Sequence, residues 1–101
     1  MLPLLNDQEL NTHLEASPAP RVTKEAIEFR IQAVKFTRFS ETVTICEIMV
    51  DNGYTVRGES ACVNVANYDE EIGNRFAYDN AFKQLWPLFG FLLAEKQHGQ
   101  E

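Results

Sequence analysis

The sequence predicts a small α+β domain, a short antiparallel sheet packed with one N-terminal helix and two C-terminal helices. Three observations predict it. Asn52-Gly53 separates two runs that alternate with the period of a strand. Beyond Asn67, apolar residues recur every three to four positions, as on one face of a helix. Pro87 then interrupts that pattern, because it lacks a backbone donor and clashes with the preceding turn. A chain of 101 residues has room for one domain with a modest core, since a domain this size buries only about two-thirds of the surface its unfolded chain exposes. Oligomerisation would add to that core.

Residues 1–21 read as a tail or arm, 22–98 as the domain and 99–101 as a frayed end, with fraying from Gln97 onward. Asp7 to Leu14 has the length for one or two helical turns. Ser17-Pro18-Ala19-Pro20 stops it, because each proline holds its predecessor in extended geometry. Leu2, Leu4 and Leu5 give the arm an apolar side that can pack on the domain or on a neighbouring subunit. Thr23 is a good N-cap for a helix over Lys24 to Ala33, with Glu25 favoured in its first turn. Ile27, Ile31 and Val34 fall at helical spacing and supply its buried face. From Lys35 the pattern changes, with Phe36 and Phe39 flanking Thr37-Arg38.

Thr42 to Val50 then alternates as a strand. Val43, Ile45 and Glu47 fall on one side, and Thr44, Cys46 and Ile48 on the other. Neither side is cleanly polar, so both are expected to be covered, one by helices and one by a partner chain. Asn52-Gly53 fits a type I′ turn, in which both residues take positive φ. The second strand is predicted over Tyr54 to Cys62, where Gly58 marks either a bulge or a close approach to the backbone. Asn64 to Tyr68 is a loop, and Asn67 with Glu70 reads as a capping box for the next helix. Ile72, Phe76, Ala77, Ala81 and Leu85 form its predicted core stripe. Leu88, Phe89, Leu92 and Leu93 form the apolar face of the piece after Pro87, with Gly90 allowing close packing. Trp86 is assigned to the core or a subunit interface.

Composition excludes several functions. A formal charge of −6 argues against a binder of nucleic-acid polymers, which needs many Lys and Arg to displace counterions. One small anion remains compatible with a few local cations and backbone N–H groups. No apolar run approaches the roughly 20 residues of a membrane span, and MLPLL lacks the basic flank and length of a signal peptide. The chain reads as cytosolic, with Cys46 and Cys62 as reduced core residues whose spacing fits neither CxxC nor a zinc site.

Catalytic signatures are missing as well. There is no GxSxG, GxxxxGK[ST], HExxH or GxGxxG. His13 and His98 read as solvated side chains, Ser60 beside Glu59 has no candidate base, and Asp69, Glu70 and Glu71 read as helix-start acids rather than a cation site. No catalytic residue, metal or cofactor is expected. Binding groups are better represented. Tyr54 and Arg57 on the hairpin, Asn64 and Asn67 on the loop, and Arg75, Tyr78 and Lys83 on the helix offer what a nucleotide needs: a stacking face, amides for base or ribose edges, and charge for phosphate. Each has a structural alternative in strand packing, capping or surface ion pairing.

The strings NGYTVRGESACVNVANYDEEIG and LWPLFGFLL resemble a family of small tailed-phage proteins. Its hallmark is a hairpin with NGF or NGY, then GESACV, a loop ending N(F/Y)DEEIG and a closing LWxLxGYLL helix. The likeness covers Val22 to Lys96 and leaves out the tail. That family is in turn similar to the first type of Thoeris anti-defence sponges, phage proteins that sequester cyclic ADP-ribose isomers made by bacterial TIR-domain immune proteins, without cleaving them. The resemblance implies an antiparallel sheet with two C-terminal helices. It also implies a homodimer with interface pockets, and a higher oligomer such as a hexamer with further sites for cyclic oligonucleotides, acting in the host cytoplasm during infection. It implies ligand contact by the turn aromatic, Tyr54, and by a loop asparagine, either Asn64 or Asn67. Sponges also use an Arg from the first C-terminal helix. The wider family often has a charged pair before LW where this chain has Phe82-Lys83, and an acidic residue where it has Phe89.

The main rival is a phage accessory protein that binds and modulates a host protein. A sponge needs its cations to converge with Tyr54 on one cavity, whereas a protein-binding factor needs an exposed apolar patch with Arg57, Arg75 and Lys83 scattered.

Overall fold

The computed structural model describes residues 3–100, so Leu2 of the arm and Glu101 of the frayed end lie outside the described residues. In chain order the elements are α1 (Asp7–Glu15), α2 (Lys24–Phe29), β1 (Ile31–Arg38), β2 (Val43–Val50), β3 (Thr55–Ala61), a single 3₁₀ turn (Val65–Asn67), α3 (Glu70–Lys83) and α4 (Leu85–Gly99). The strands make one antiparallel sheet in the order β1-β2-β3, and the class is α+β as predicted.

The arm helix α1 starts on a capping box. Asn6 accepts from the Glu9 N–H at 2.7 Å while Glu9 accepts from the Asn6 N–H at 3.1 Å. No residue of α1 is buried. Thr23 caps α2 as predicted, accepting from the Ala26 N–H at 3.0 Å. The helix does not reach Ala33, however; it ends at Phe29 and the chain turns directly into β1. Ile27 and Ile31 sit four apart and imitate a helical face, but Val34-Lys35-Phe36-Thr37 already alternates as a strand does. Arg30 fixes the change of direction. Its carbonyl accepts from the Asp51 N–H at 2.9 Å, and its guanidinium grips the Asp51 carboxylate at 2.7 Å.

The hairpin also differs from the type I′ prediction. Asp51 and Asn52 both keep negative φ, and Gly53 alone is left-handed at φ 89. The Gly53 N–H donates to the Val50 carbonyl, and the Val50 N–H to the Tyr54 carbonyl. The result is a three-residue loop closed by a left-handed glycine, the next commonest hairpin connection. Asn52 supports it through its side chain, which accepts from the Tyr54 N–H at 2.9 Å.

Gly58 is a site of close approach, not a bulge; the register between β2 and β3 runs unbroken across it. A Cβ at this position would lie 2.2 Å from the Ala81 nitrogen and 2.7 Å from the Ala77 carbonyl oxygen. The backbones of β3 and α3 therefore nearly touch, and this sets the burial pattern of α3. Ala77, Ala81 and Phe82 are buried, whereas Ile72 and Phe76, named for the core stripe, are exposed. A helix seated this close to a sheet turns its small residues inward and rotates larger neighbours out. The cap is displaced as well: Asp69, not Asn67, accepts from the N–H groups of Glu71 and Ile72. The core comprises Ile27, Cys46, Ile48, Val50, Val56, Ala77, Ala81, Phe82 and Leu85. Thr44 is buried with its hydroxyl 3.4 Å from that of Tyr68.

The predicted break falls at Gln84, just before Leu85-Trp86-Pro87. Gln97 does not begin a frayed end, since α4 runs on to Gly99. Of its fifteen residues only Leu85 is buried. A helix apolar on every side is normally buried on every side; here Trp86, Leu88, Phe91 and Leu92 are exposed. Whole-chain dimensions reflect both this helix and the arm, whose helix α1 buries no residue. The radius of gyration is 17.1 Å, against about 13 Å for a compact 100-residue domain. The accessible surface is 7953 Å², against about 5,800 Å² for a compact monomer of this mass.

Candidate functional site

A largely apolar recess lies where the hairpin end meets α4. Val50 and Leu85 form its floor, Leu88, Phe89, Phe91 and Leu92 its wall, and Arg30, Asn52 and Tyr54 its rim. Its volume is about 240 Å³, below the roughly 300–1,000 Å³ of pockets that enclose a small molecule. Within one protomer it is an open wall with one aromatic, Tyr54, standing 57% exposed beside it.

Arg30 gives this rim its electrostatics. The guanidinium lies 5.4 Å from the centre of the Phe89 ring while bonded to Asp51. The hydrogen bond raises the Arg30 pKa and holds the Asp51 carboxyl below its ordinary value. The rim thus carries a neutralised pair whose cation can reach an incoming anion only in competition with Asp51.

The other candidates lie elsewhere. Arg57 projects from the sheet face opposite the helices, 61% exposed, 3.4 Å from Glu47 and beside Lys35 and Thr37. That face stays partly exposed in the protomer. Asn64 caps the 3₁₀ turn, accepting from the Ala66 N–H at 2.9 Å. Asn67 lines a separate recess of about 180 Å³ with Thr44, Ser60, Cys62 and Tyr68. Arg75 is bonded to Asp79 at 3.0 Å. Tyr78 and Lys83 share a third recess with Lys24, Asp79, Phe82 and Trp86, where the rings of Tyr78, Phe82 and Trp86 follow one another at 5.8 and 6.1 Å. Only Tyr78 and Lys83 are brought together, and Tyr54 meets none of the named cations. Arg30, Asn52 and Phe91 were not foreseen as lining residues. Phe91 carried a signal, the apolar character of α4 on all sides; Arg30 carried none, because its place depends on Asp51.

Ser60 donates to the Gly73 carbonyl at 2.7 Å and ties β3 to α3. Burial pushes the Cys46 thiol up to about 11, which keeps it protonated and unreactive near neutrality. Burial, and then the charge of Glu28, raises the Tyr78 hydroxyl above its ordinary value. Among the described residues, no three His, Cys, Asp or Glu gather as metal ligands, and no helix is long and apolar enough to cross a membrane.

The described residues thus form a small α+β protomer whose apolar helix α4 is largely uncovered. Residues 22–97 match the family described as phage protein (N4 Gp49/phage Sf6 gene 66), and the chain belongs to that family. No curated protein and no solved structure matches it.

Proposed function

We propose that this phage protein is an anti-defence sponge that binds cyclic nucleotide immune signals in the host cytoplasm and holds them without cleavage. Cyclic ADP-ribose isomers are the first candidates and cyclic oligonucleotides the second. The observation that carries the reading is the Tyr54 rim beside the uncovered α4 wall. An aromatic stacking face, the Asn52 amide and the Arg30 guanidinium border an apolar surface that one protomer leaves half built. A second copy seated on α4 turns that surface into an enclosed pocket and brings further polar groups to it. Membership of a phage family supports the setting, and the motif likeness to Thoeris sponges supports the ligand class. Sequestration needs no catalytic group; it needs a preformed cavity that buries most of the ligand.

A second reading, an accessory protein that modulates a host protein, is favoured by one observation. Arg57, Arg75 and Lys83 lie on separate surfaces and do not converge with Tyr54. Calorimetric titration with cyclic ADP-ribose isomers and a panel of cyclic dinucleotides separates the two, with chromatography of the ligand recovered after heat denaturation. The sponge reading expects tight binding, intact ligand and loss of binding in Tyr54→Ala. Altered ligand would make the protein an enzyme, and absence of binding across the panel would favour the host-protein reading.

A further inference from the structure

Asn52-Gly53 carries a chemistry beyond its part in the turn. Of the seven asparagines in the chain, only Asn52 precedes a glycine. The reaction open to such a pair is self-modification. The Gly53 backbone nitrogen attacks the Asn52 side-chain carbonyl carbon, the bond from that carbon to the amide nitrogen breaks, and ammonia leaves. Water then opens the five-membered succinimide at either of its two carbonyls, giving aspartate or isoaspartate. Glycine has no Cβ to obstruct the attack, whereas the residue after each of the other six asparagines has one.

The hairpin holds both reacting groups off that path. The Gly53 N–H donates to the Val50 carbonyl at 2.9 Å, and the two residues between them keep negative φ, which makes a type I turn with Asn52 in its third position. In that position ψ is about zero, so the Asn52 backbone nitrogen nearly eclipses the Gly53 nitrogen. Ring closure needs Cβ in the eclipsed place instead, and the rotation that brings it there breaks the bond to Val50. The side chain is tied as well, because its Oδ1 accepts from the Tyr54 N–H at 2.9 Å. Arg30 clamps the start of the loop. Its carbonyl accepts from the Asp51 N–H at 2.9 Å, and its guanidinium donates to the Asp51 carboxylate at 2.7 Å.

We infer that Asn52 is a latent modification site, whose amide the closed hairpin preserves and whose conversion begins when the hairpin end opens. Backbone geometry controls it, not access. Residues 51–54 are all exposed, so water and hydroxide reach them freely. The product alters the recess on α4, whose rim Asn52 shares with Arg30 and Tyr54. Aspartate adds negative charge to a rim that already carries Asp51. Isoaspartate also lengthens the main chain by one carbon inside the turn. On the sponge reading proposed above, either product weakens capture of an anionic ligand, but the reaction itself does not depend on that reading.

The test compares the folded protein with the same chain unfolded in guanidinium, both held at one mildly alkaline pH. Peptide mass spectrometry reads the amide-to-acid change at each asparagine, and labelling by an isoaspartyl methyltransferase gives a second count. The unfolded chain should convert at Asn52 before any other asparagine. The folded chain should convert there about tenfold more slowly or more, because the reaction waits on local opening. Arg30→Gln removes the ion-pair clamp. With unchanged far-UV circular dichroism it should convert about two- to fivefold faster than the unmodified fold, the range that an exposed pair supplies. Asp51→Ala cuts the same pair and takes its place should Arg30→Gln fail to fold. Equal rates in the folded and unfolded chains would overturn the inference, as would a folded clamp variant that converts no faster than the unmodified protein.

Discussion

Helices α3 and α4 are nearly equal in length, 14 and 15 residues, and only Gln84 separates them, yet they do opposite work. The first is polar in composition and buries Ala77, Ala81 and Phe82 against the sheet; the second is rich in Leu and Phe and buries Leu85 alone. Small residues let backbones approach, and the Gly58–Ala81 contact shows how closely. Large apolar residues therefore need not belong to the protomer's own core. In this molecule α3 packs on the sheet, while α4 leaves most of its large apolar residues exposed beside Tyr54.

Substitutions on the two sides should separate them. The largest effect is expected at Gly58→Val, which drives side-chain atoms into the backbone of α3, where no rotamer change gives relief. It should cost about 3 kcal/mol or more, read as a fall in the urea midpoint. Leu85→Ala, at the joint between the helices, should cost about 2 kcal/mol, near the low end for a buried leucine because the neighbouring wall is open to water. Asn80→Ala and Gln84→Ala each remove one bond from α3 to a carbonyl on the β3 edge and should cost about 1 kcal/mol; the stronger consequence is an open sheet edge, seen as added self-association.

A smaller effect falls on the α4 side. The Asp51 carboxyl titrates below its ordinary range because Arg30 donates to it. A lowered acid pKa means that the pair's contribution is fully present above the unfolded aspartate value and is lost as pH falls through the lowered one. Asp51→Asn should therefore flatten the decline of stability in acid and leave the neutral-pH value nearly unchanged, since both partners are exposed.

Much of this was legible in the sequence, for identifiable reasons. The alternation of Val43 to Val50, the turn at Gly53 and the break before Pro87 depend on near neighbours, and each appears where expected within a residue or two. Gly58 was legible as a special backbone position, with a close approach as one of the two alternatives and a bulge as the other. What was not legible depends on distant contacts. Strand β1 was hidden because Ile27, Ile31 and Val34 happen to keep helical spacing, and its start is fixed by Asp51, twenty-one positions from Arg30. The inward face of α3 was misplaced because large apolar residues were assumed to be buried first, whereas contact with Gly58 selects alanine. For the site, Tyr54 could be named from the turn motif, but its neighbours Arg30 and Phe91 come from the turn between α2 and β1 and from α4, and are brought together only by the fold.

The most direct measurement is the molar mass of the unmodified protein and of Phe91→Asp in solution, by light scattering at the same concentration. A charge at an exposed position on α4 should leave the protomer's fold intact while making the apolar wall unfit for a partner. The account predicts a multiple of 11.5 kDa for the unmodified chain and a smaller assembly for the variant, with the same circular dichroism. A mass of 11.5 kDa for the unmodified chain, or full assembly of Phe91→Asp, would contradict it.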